Sequence, residues 1–269
     1  MGENSKIEWT DHSFNPWVGC TKISPGCDNC YAEAWAKRSG LVAWDAERRR
    51  TSPTTWRSPL RWNREAEVAG VRKRVFCASL ADVFDNRVPP EWREDLFLLI
   101  SQTPWLDWLL LTKRIGNVPQ MLFQKGTLLE YPNIWLGISV VNQEEADRDI
   151  PKLLSVPAHI RFMSCEPLIG PISFEGRWVD HPNLAMHENW LEALDWVIVG
   201  GESGSHARPM EPEWARSLVE QCQAIETAVF MKQGSQANWH DFKNIDTFPS
   251  SLQVRSYPSS APAKGNEQS

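Results

Sequence analysis

The chain reads as an α/β protein, a partial or complete parallel (β/α) barrel of about six to seven strands. Three observations predict this. Between residues 75 and 234 short apolar, β-branched runs recur, each ending in polar residues or glycine and followed by a helical or polar stretch. The runs are apolar almost throughout instead of alternating, the pattern of strands buried on both faces and hence of a parallel sheet. The number of strand–helix steps, about seven, suits a barrel or part of one. A doubly wound sheet is the alternative, although neither a G-x-G-x-x-G nor a Walker sequence is present to mark a dinucleotide or P-loop site.

Taken in order, an early strand is expected near residues 14–18, then a polar loop over 19–31 and a helix over 29–38. Strands follow at 75–80, 108–111, 134–140, 160–165, 196–199 and 229–231. The helix over 91–102 starts after two prolines, which favour a first turn. The helix over 143–154 follows Asn142, a suitable N-cap, with acidic residues in its first turn. A further helix over 213–224 also follows a proline, and residues 181–192 read as an insertion before a late strand. Residues 1–246 therefore form one barrel-like domain, and 247–269, rich in Ser, Pro, Lys and Gln, read as a disordered tail.

Hydrophobic content of 42% and charged content of 23% are those of a globular protein. No apolar run approaches a membrane span, and the polar amino terminus lacks a signal peptide's apolar core, so the expectation is a cytoplasmic protein with no membrane partner. Net charge is −6, yet residues 37–74 carry eleven Lys or Arg against four carboxylates. Two readings stand for this stretch: a solvated, salt-bridged surface, or a basic face for a nucleotide or nucleic acid, with Trp35, Trp44, Trp56 and Trp62 available for stacking.

The loop GCTKISPGCDNCYAEAWAKR holds Cys20, Cys27 and Cys30, half of the chain's six cysteines. Three thiolates from one loop can hold an iron–sulfur cluster by three irons and leave the fourth open. Zinc would need a fourth ligand, which upstream His12 could supply, so both metals stay open here. Cys77 and Cys165 fall in apolar strands and Cys222 on a helix, where packing explains them.

In a parallel barrel the active site forms at the carboxyl ends of the strands. Polar residues collect there: Ser79 and Asp82, Lys113, Ser139 and Asn142, Glu166, Glu202 and Lys232. Glu166 and Lys113 are the candidate catalytic groups, a carboxylate and an ammonium in a low-dielectric mouth. Ser79, Asp82, Ser139 and Asn142 are candidate cofactor ligands. Gly200 and Gly201 would let backbone approach a ligand closely, and Glu202 would accept bonds from an ammonium.

The segments KIEWTDHSFNPWVGCTKISPGCDNCYAE, RVFCASLADVF, LLLTKR, IWLGISVVNQEEADRDIPKLL, RFMSCEPLIGPI, DWVIVGGESGSHARPM and VFMKQGS span roughly residues 6 to 235. They resemble a phage-associated three-cysteine family of unknown function that is itself similar to the radical S-adenosylmethionine superfamily. The gap between Cys20 and Cys27 is six residues, longer than that superfamily's usual three, and Asn29 stands where an aromatic residue usually precedes the last cysteine. The resemblance implies a radical-SAM-like barrel in which Cys20, Cys27 and Cys30 hold a 4Fe–4S cluster. S-adenosylmethionine would bind the open iron and be cleaved by one electron to a 5′-deoxyadenosyl radical that abstracts hydrogen from a substrate. It also implies that Ser139, Asp147 and Arg148 match the element contacting the cofactor ribose. The implied partners are an electron donor and a substrate, for which a nucleoside or nucleic acid is one candidate; a partner protein stays open. The alternative is a zinc or iron–sulfur binding module without catalysis.

Overall fold

The computed structural model describes residues 2–3, 5–122, 128–180 and 187–258. Seven parallel strands follow one another in chain order across a single curled sheet: β1 (His12–Ser13), β2 (Lys73–Cys77), β3 (Leu106–Thr112), β4 (Ile134–Ser139), β5 (Ile160–Cys165), β6 (Trp196–Gly200) and β7 (Ala228–Gln233). The result is a half-barrel, with β1 and β7 as its parallel edges. Gly2–Glu3 adds a short antiparallel strand outside β1.

Helices connect the strands: α1 (Tyr31–Ser39), α2 (Pro53–Ala69), α3 (Pro90–Ser101), the short α4 (Val118–Leu122), α5 (Gln143–Leu154) and α6 (Pro212–Ala224). Their ends follow cap chemistry. Asn142 accepts a bond from the Glu145 amide at 3.0 Å and starts α5. Ser52 caps α2, Pro53 opens it, and Gly70 ends it in the left-handed region at φ 64.

Side chains alternate between the two faces of the sheet. Outward residues such as Val75, Trp108, Leu110, Met163 and Val197 join the larger core beneath the helices. Inward residues Trp135, Phe162, Trp196, Ile198 and Phe230 form a second, separate core inside the barrel, to which Trp9 contributes. The register sets Ser139 beside Ser164 at the carboxyl ends of β4 and β5.

Two segments cover the open side. Trp9, just before β1, reaches Trp196 with ring centres 6.2 Å apart. After β7 the chain returns along that strand: the Met231 amide donates to the Val254 carbonyl, and the Ser256 amide to that of Val229, each at 2.9 Å. The Tyr257 hydroxyl then donates to the Glu8 carbonyl at 3.4 Å.

Two expectations need correction, and a third lies partly outside the described residues. The early strand over 14–18 is divided: His12–Ser13 joins the sheet, whereas Trp17–Val18 pairs with Arg49–Arg50 apart from it. Pro16 lies between them and has no amide to extend a ladder. The expected tail is structured over 247–258, where Phe248 and Leu252 are buried; residues 259–269 lie outside the described residues. The insertion at 181–192 is described only from His187, where His187–Asn189 pairs antiparallel with Trp178–Asp180.

Candidate functional site

A cavity of about 350 Å³ opens at the carboxyl ends of the parallel strands. Cys20, Cys27 and Cys30 all line it, together with Ser79, Asp82, Lys113, Ser139, Glu166, Gly201, Glu202 and Lys232. Side chains from the ends of β3, β4, β5 and β7 thus meet the cysteine loop at one mouth, as parallel strand direction requires.

The cysteine loop is built by local chemistry. Ser24 accepts a bond from the Gly26 amide and starts a short 3-10 turn, Pro25–Cys27, while Cys30 sits at the N-cap of α1. All three thiols are half-buried and free of disulfides. Among the described residues no group of three His, Cys, Asp or Glu side chains is gathered to hold a metal ion. His12, the fourth zinc ligand considered from the sequence, is stacked on Trp62 with ring centres 4.4 Å apart and does not line the cavity.

Arg114 ties this loop to the barrel. Its guanidinium donates to the Cys20 sulfur at 3.5 Å, to the Thr21 carbonyl at 3.0 Å and to Asp82 at 3.1 Å. Asp82 also accepts from the Thr112 hydroxyl at 2.8 Å and from the Lys113 amide at 3.1 Å. Asp82 is therefore a buried organiser of the mouth, with both carboxylate oxygens engaged. Burial pushes the Cys20 thiol up to about 11, with Arg114 opposing that rise. Burial likewise raises the thiols of Cys77, Cys165 and Cys222, none of which lines the cavity.

Two polar chains run along the strand ends. The Lys113 ammonium donates to the Ser139 hydroxyl at 2.7 Å, which donates to the Glu166 carbonyl at 3.2 Å. The Glu166 carboxylate takes the Lys232 ammonium at 2.6 Å and the Ser164 hydroxyl at 3.3 Å. Gly200 makes room for this carboxylate: a Cβ there would stand 2.8 Å from its oxygen. Gly200 does not itself line the cavity, so its part is packing against Glu166. Gly201 does line it and lies where a side chain would strike the Gly234–Ser235 backbone.

Opposite, Glu202 fastens the cysteine loop. It accepts from the Asn29 amide at 2.9 Å and from the Arg208 guanidinium at 2.7 Å, and Arg208 also reaches Asp28 at 3.2 Å. Burial alone would raise the Glu202 carboxyl, but bonds from Arg208 and Asn29 more than offset this and hold it below the usual range. With that many protein partners, Glu202 braces the mouth.

Other sequence expectations are placed differently. Asn142 is the cap of α5 and does not reach the cavity. Of the ribose-matching trio only Ser139 lines it. Asp147 pairs with Arg177, and Arg148 with Asp149, both from the body of α5, a turn or more beyond the strand end. Within the basic stretch, Lys37, Arg48, Arg50, Arg61, Arg72 and Arg74 each pair with a carboxylate. Trp62 is buried and Trp56 lies under Arg50 at 4.4 Å, so of the four tryptophans only Trp44 lines the mouth. Lys6, Trp9 and Tyr31 also line it. No strand-end pattern marks these three, because long-range chain crossing or a helix start brings them there.

Fold and site together define a parallel half-barrel α/β protein with one polar, thiol-bearing mouth at its strand ends. The family model described as a protein of unknown function (DUF5131) matches residues 4–258, and the chain belongs to that family. No curated protein and no solved structure matches the chain. Among the described residues no helix is long and apolar enough to cross a membrane.

Proposed function

We propose that the protein is a radical S-adenosylmethionine-type enzyme that cleaves its cofactor at a 4Fe–4S cluster and abstracts hydrogen from a substrate. One observation carries this reading: the three free thiols of a single loop share a cavity with Lys113, Ser139 and Glu166. The donor set suits a cluster. A single zinc ion needs its ligands gathered on one centre, whereas a cluster spreads three thiolates over separate irons. When bound, the cluster and cofactor supply the one-electron chemistry.

The chain's own residues then hold and orient. Cys20, Cys27 and Cys30 are the ligands, and Arg114 restrains the Cys20 end of their loop. Lys113 keeps donors free beyond its bond to Ser139 and can meet a carboxylate; the Ser139 hydroxyl can meet a ribose. Glu166, held by Lys232 and Ser164, is the carboxylate that accepts an ammonium or holds a substrate proton. Beneath them the buried ring cluster keeps water from the floor of the mouth.

Anaerobic reconstitution tests this directly. The expected product is brown protein with about four irons per chain, the content of one such cluster. After reduction it should convert S-adenosylmethionine to 5′-deoxyadenosine, slowly without substrate. Cys27→Ala should lose both iron and cleavage. A fully loaded, reducible cluster that neither binds nor cleaves S-adenosylmethionine would overturn the enzyme reading in favour of a non-catalytic module, as would colourless protein with one zinc.

A further inference from the structure

Six cations line the cavity: Lys6, Lys22, Lys113, Arg114, Lys232 and Lys243. Three are matched by carboxylates, Lys22 by Glu33 at 2.8 Å, Arg114 by Asp82 at 3.1 Å and Lys232 by Glu166 at 2.6 Å. No carboxylate among the described residues pairs with Lys6, Lys113 or Lys243. The lining carboxylates are Glu8, Asp82, Glu166 and Glu202, fewer than the cations, in a chain of net charge −6. The mouth thus reverses the sign of the whole molecule, and such a local reversal draws anions toward it.

The three unmatched lysines divide by position. Lys113 lies beneath the cysteine loop, where a Cβ on Gly26 would touch its Cε at 3.4 Å. Lys6 and Lys243 are exposed and belong to the two segments that cover the open side of the half-barrel. Lys243 follows Phe242, whose carbonyl takes the Gly234 amide at 2.7 Å just beyond β7. S-adenosylmethionine carries a carboxylate, an ammonium and a sulfonium, so its net positive charge does not call for these two. About 350 Å³ is also small, room for one ligand of ordinary size. A second reactant must then enter across the rim. Tyr31, with 55% of its surface exposed, and Trp44 line the same cavity and offer faces on which a base can stack.

We infer that the open side of the mouth receives a phosphate-bearing nucleotide unit, its phosphate held by Lys6 and Lys243. This names a substrate class for the site proposed above and rests on that reading for the reaction, though not for the binding. It also moves anion recognition away from residues 37–74, where six cations already have carboxylate partners.

Binding can be measured on the full, metal-free chain by fluorescence anisotropy with a labelled single-stranded thymidine tetranucleotide, and by competition with thymidine monophosphate. Wild type should bind the strand, and affinity should fall with salt. K6A/K243A should weaken binding about tenfold at low salt and reduce the slope of log affinity against log salt by about 0.7, for the one phosphate that both lysines hold on a single strand. K6R/K243R should restore most of the binding, and K37A/R61A should leave it unchanged. Competition by the monophosphate points to a free nucleotide; binding of the strand alone points to a polymer. Either supports the phosphate site. Absence of binding by wild type to both probes, an unchanged slope in K6A/K243A, or loss of binding in K37A/R61A would overturn it. Circular dichroism melts of each variant check the fold. Iron content and S-adenosylmethionine cleavage, read on separate reconstituted samples, report the proposed chemistry independently.

Discussion

At the amino-terminal ends of the strands the barrel interior holds Trp135, Phe162, Trp196 and Phe230; at the carboxyl ends of the same strands it holds Ser139, Ser164 and Lys232. One inward-facing row changes character within two to four residues: Trp135, Gly137 and Ser139 on β4, then Ile160, Phe162 and Ser164 on β5. The lower half is closed by ring packing. Trp196 alone touches Trp9, Trp135, Phe162, Phe230 and Tyr257, with ring centres between 5.4 and 6.2 Å. The upper half is held by hydrogen bonds and ion pairs around space. Stability is therefore concentrated in the floor, and open, polar-lined space in the mouth.

Truncating the floor should break this division most strongly. Trp196→Ala should lose about 3–5 kcal/mol, read from urea unfolding. A loss under about 1 kcal/mol, the level of an ordinary substitution, would mean that the rings do not hold the barrel together. Gly137 sits where the two halves meet, and a Cβ there would overlap the Phe162 ring. Gly137→Ala should cost about 1–3 kcal/mol through overpacking. The same measurement on Gly116→Ala is the control, since a Cβ there meets nothing within 4 Å.

The mouth should respond more weakly, and with pH. Glu202 has a folded-state pKa held below its ordinary value of 4.5, so its contribution is present above that pH and lost as pH falls through the folded value. Glu202→Gln should therefore cost about 1 kcal/mol near neutrality, the scale of a net hydrogen bond. Its unfolding midpoint should converge with wild type in acid. A gap that persists in acid would assign the loss to packing. Smallest of all, Ser139→Ala should change stability by under about 0.5 kcal/mol while weakening ligand binding by about 1 kcal/mol. A stability loss as large as that of Gly137→Ala would extend the structural floor up into the mouth.

Along the chain itself, the strands and helices with the plainest local signals were legible. Ile160–Cys165 and Gln143–Leu154 match their expected bounds, because an apolar run and a capped, periodic segment carry their own physical cause. Parallel direction then placed Lys113, Ser139 and Glu166 on one side with the cysteines. Asn142 shows the limit: cap and ligand call for the same side chain, and only its bond to the Glu145 amide decides between them. Gly200 shows it again, since a glycine that makes room for the Glu166 carboxylate reads like one that admits a ligand.

Residues far apart in the chain needed the folded molecule. In the stretch from Lys37 to Arg74, four arginines, Arg48, Arg50, Arg72 and Arg74, meet Asp85, Asp95, Asp107 and Asp11, pairings that no local pattern announces. Lys6, Trp9 and Lys243 carried no strand-end signal, yet the chain crossings over the open side put all three at the mouth. Local hydrophobic pattern and cap chemistry act over a few residues, so they were enough for the half-barrel and for the side of it that bears the site. Pairing of charges and the covering of an open edge are long-range events, decided only when distant segments share one space.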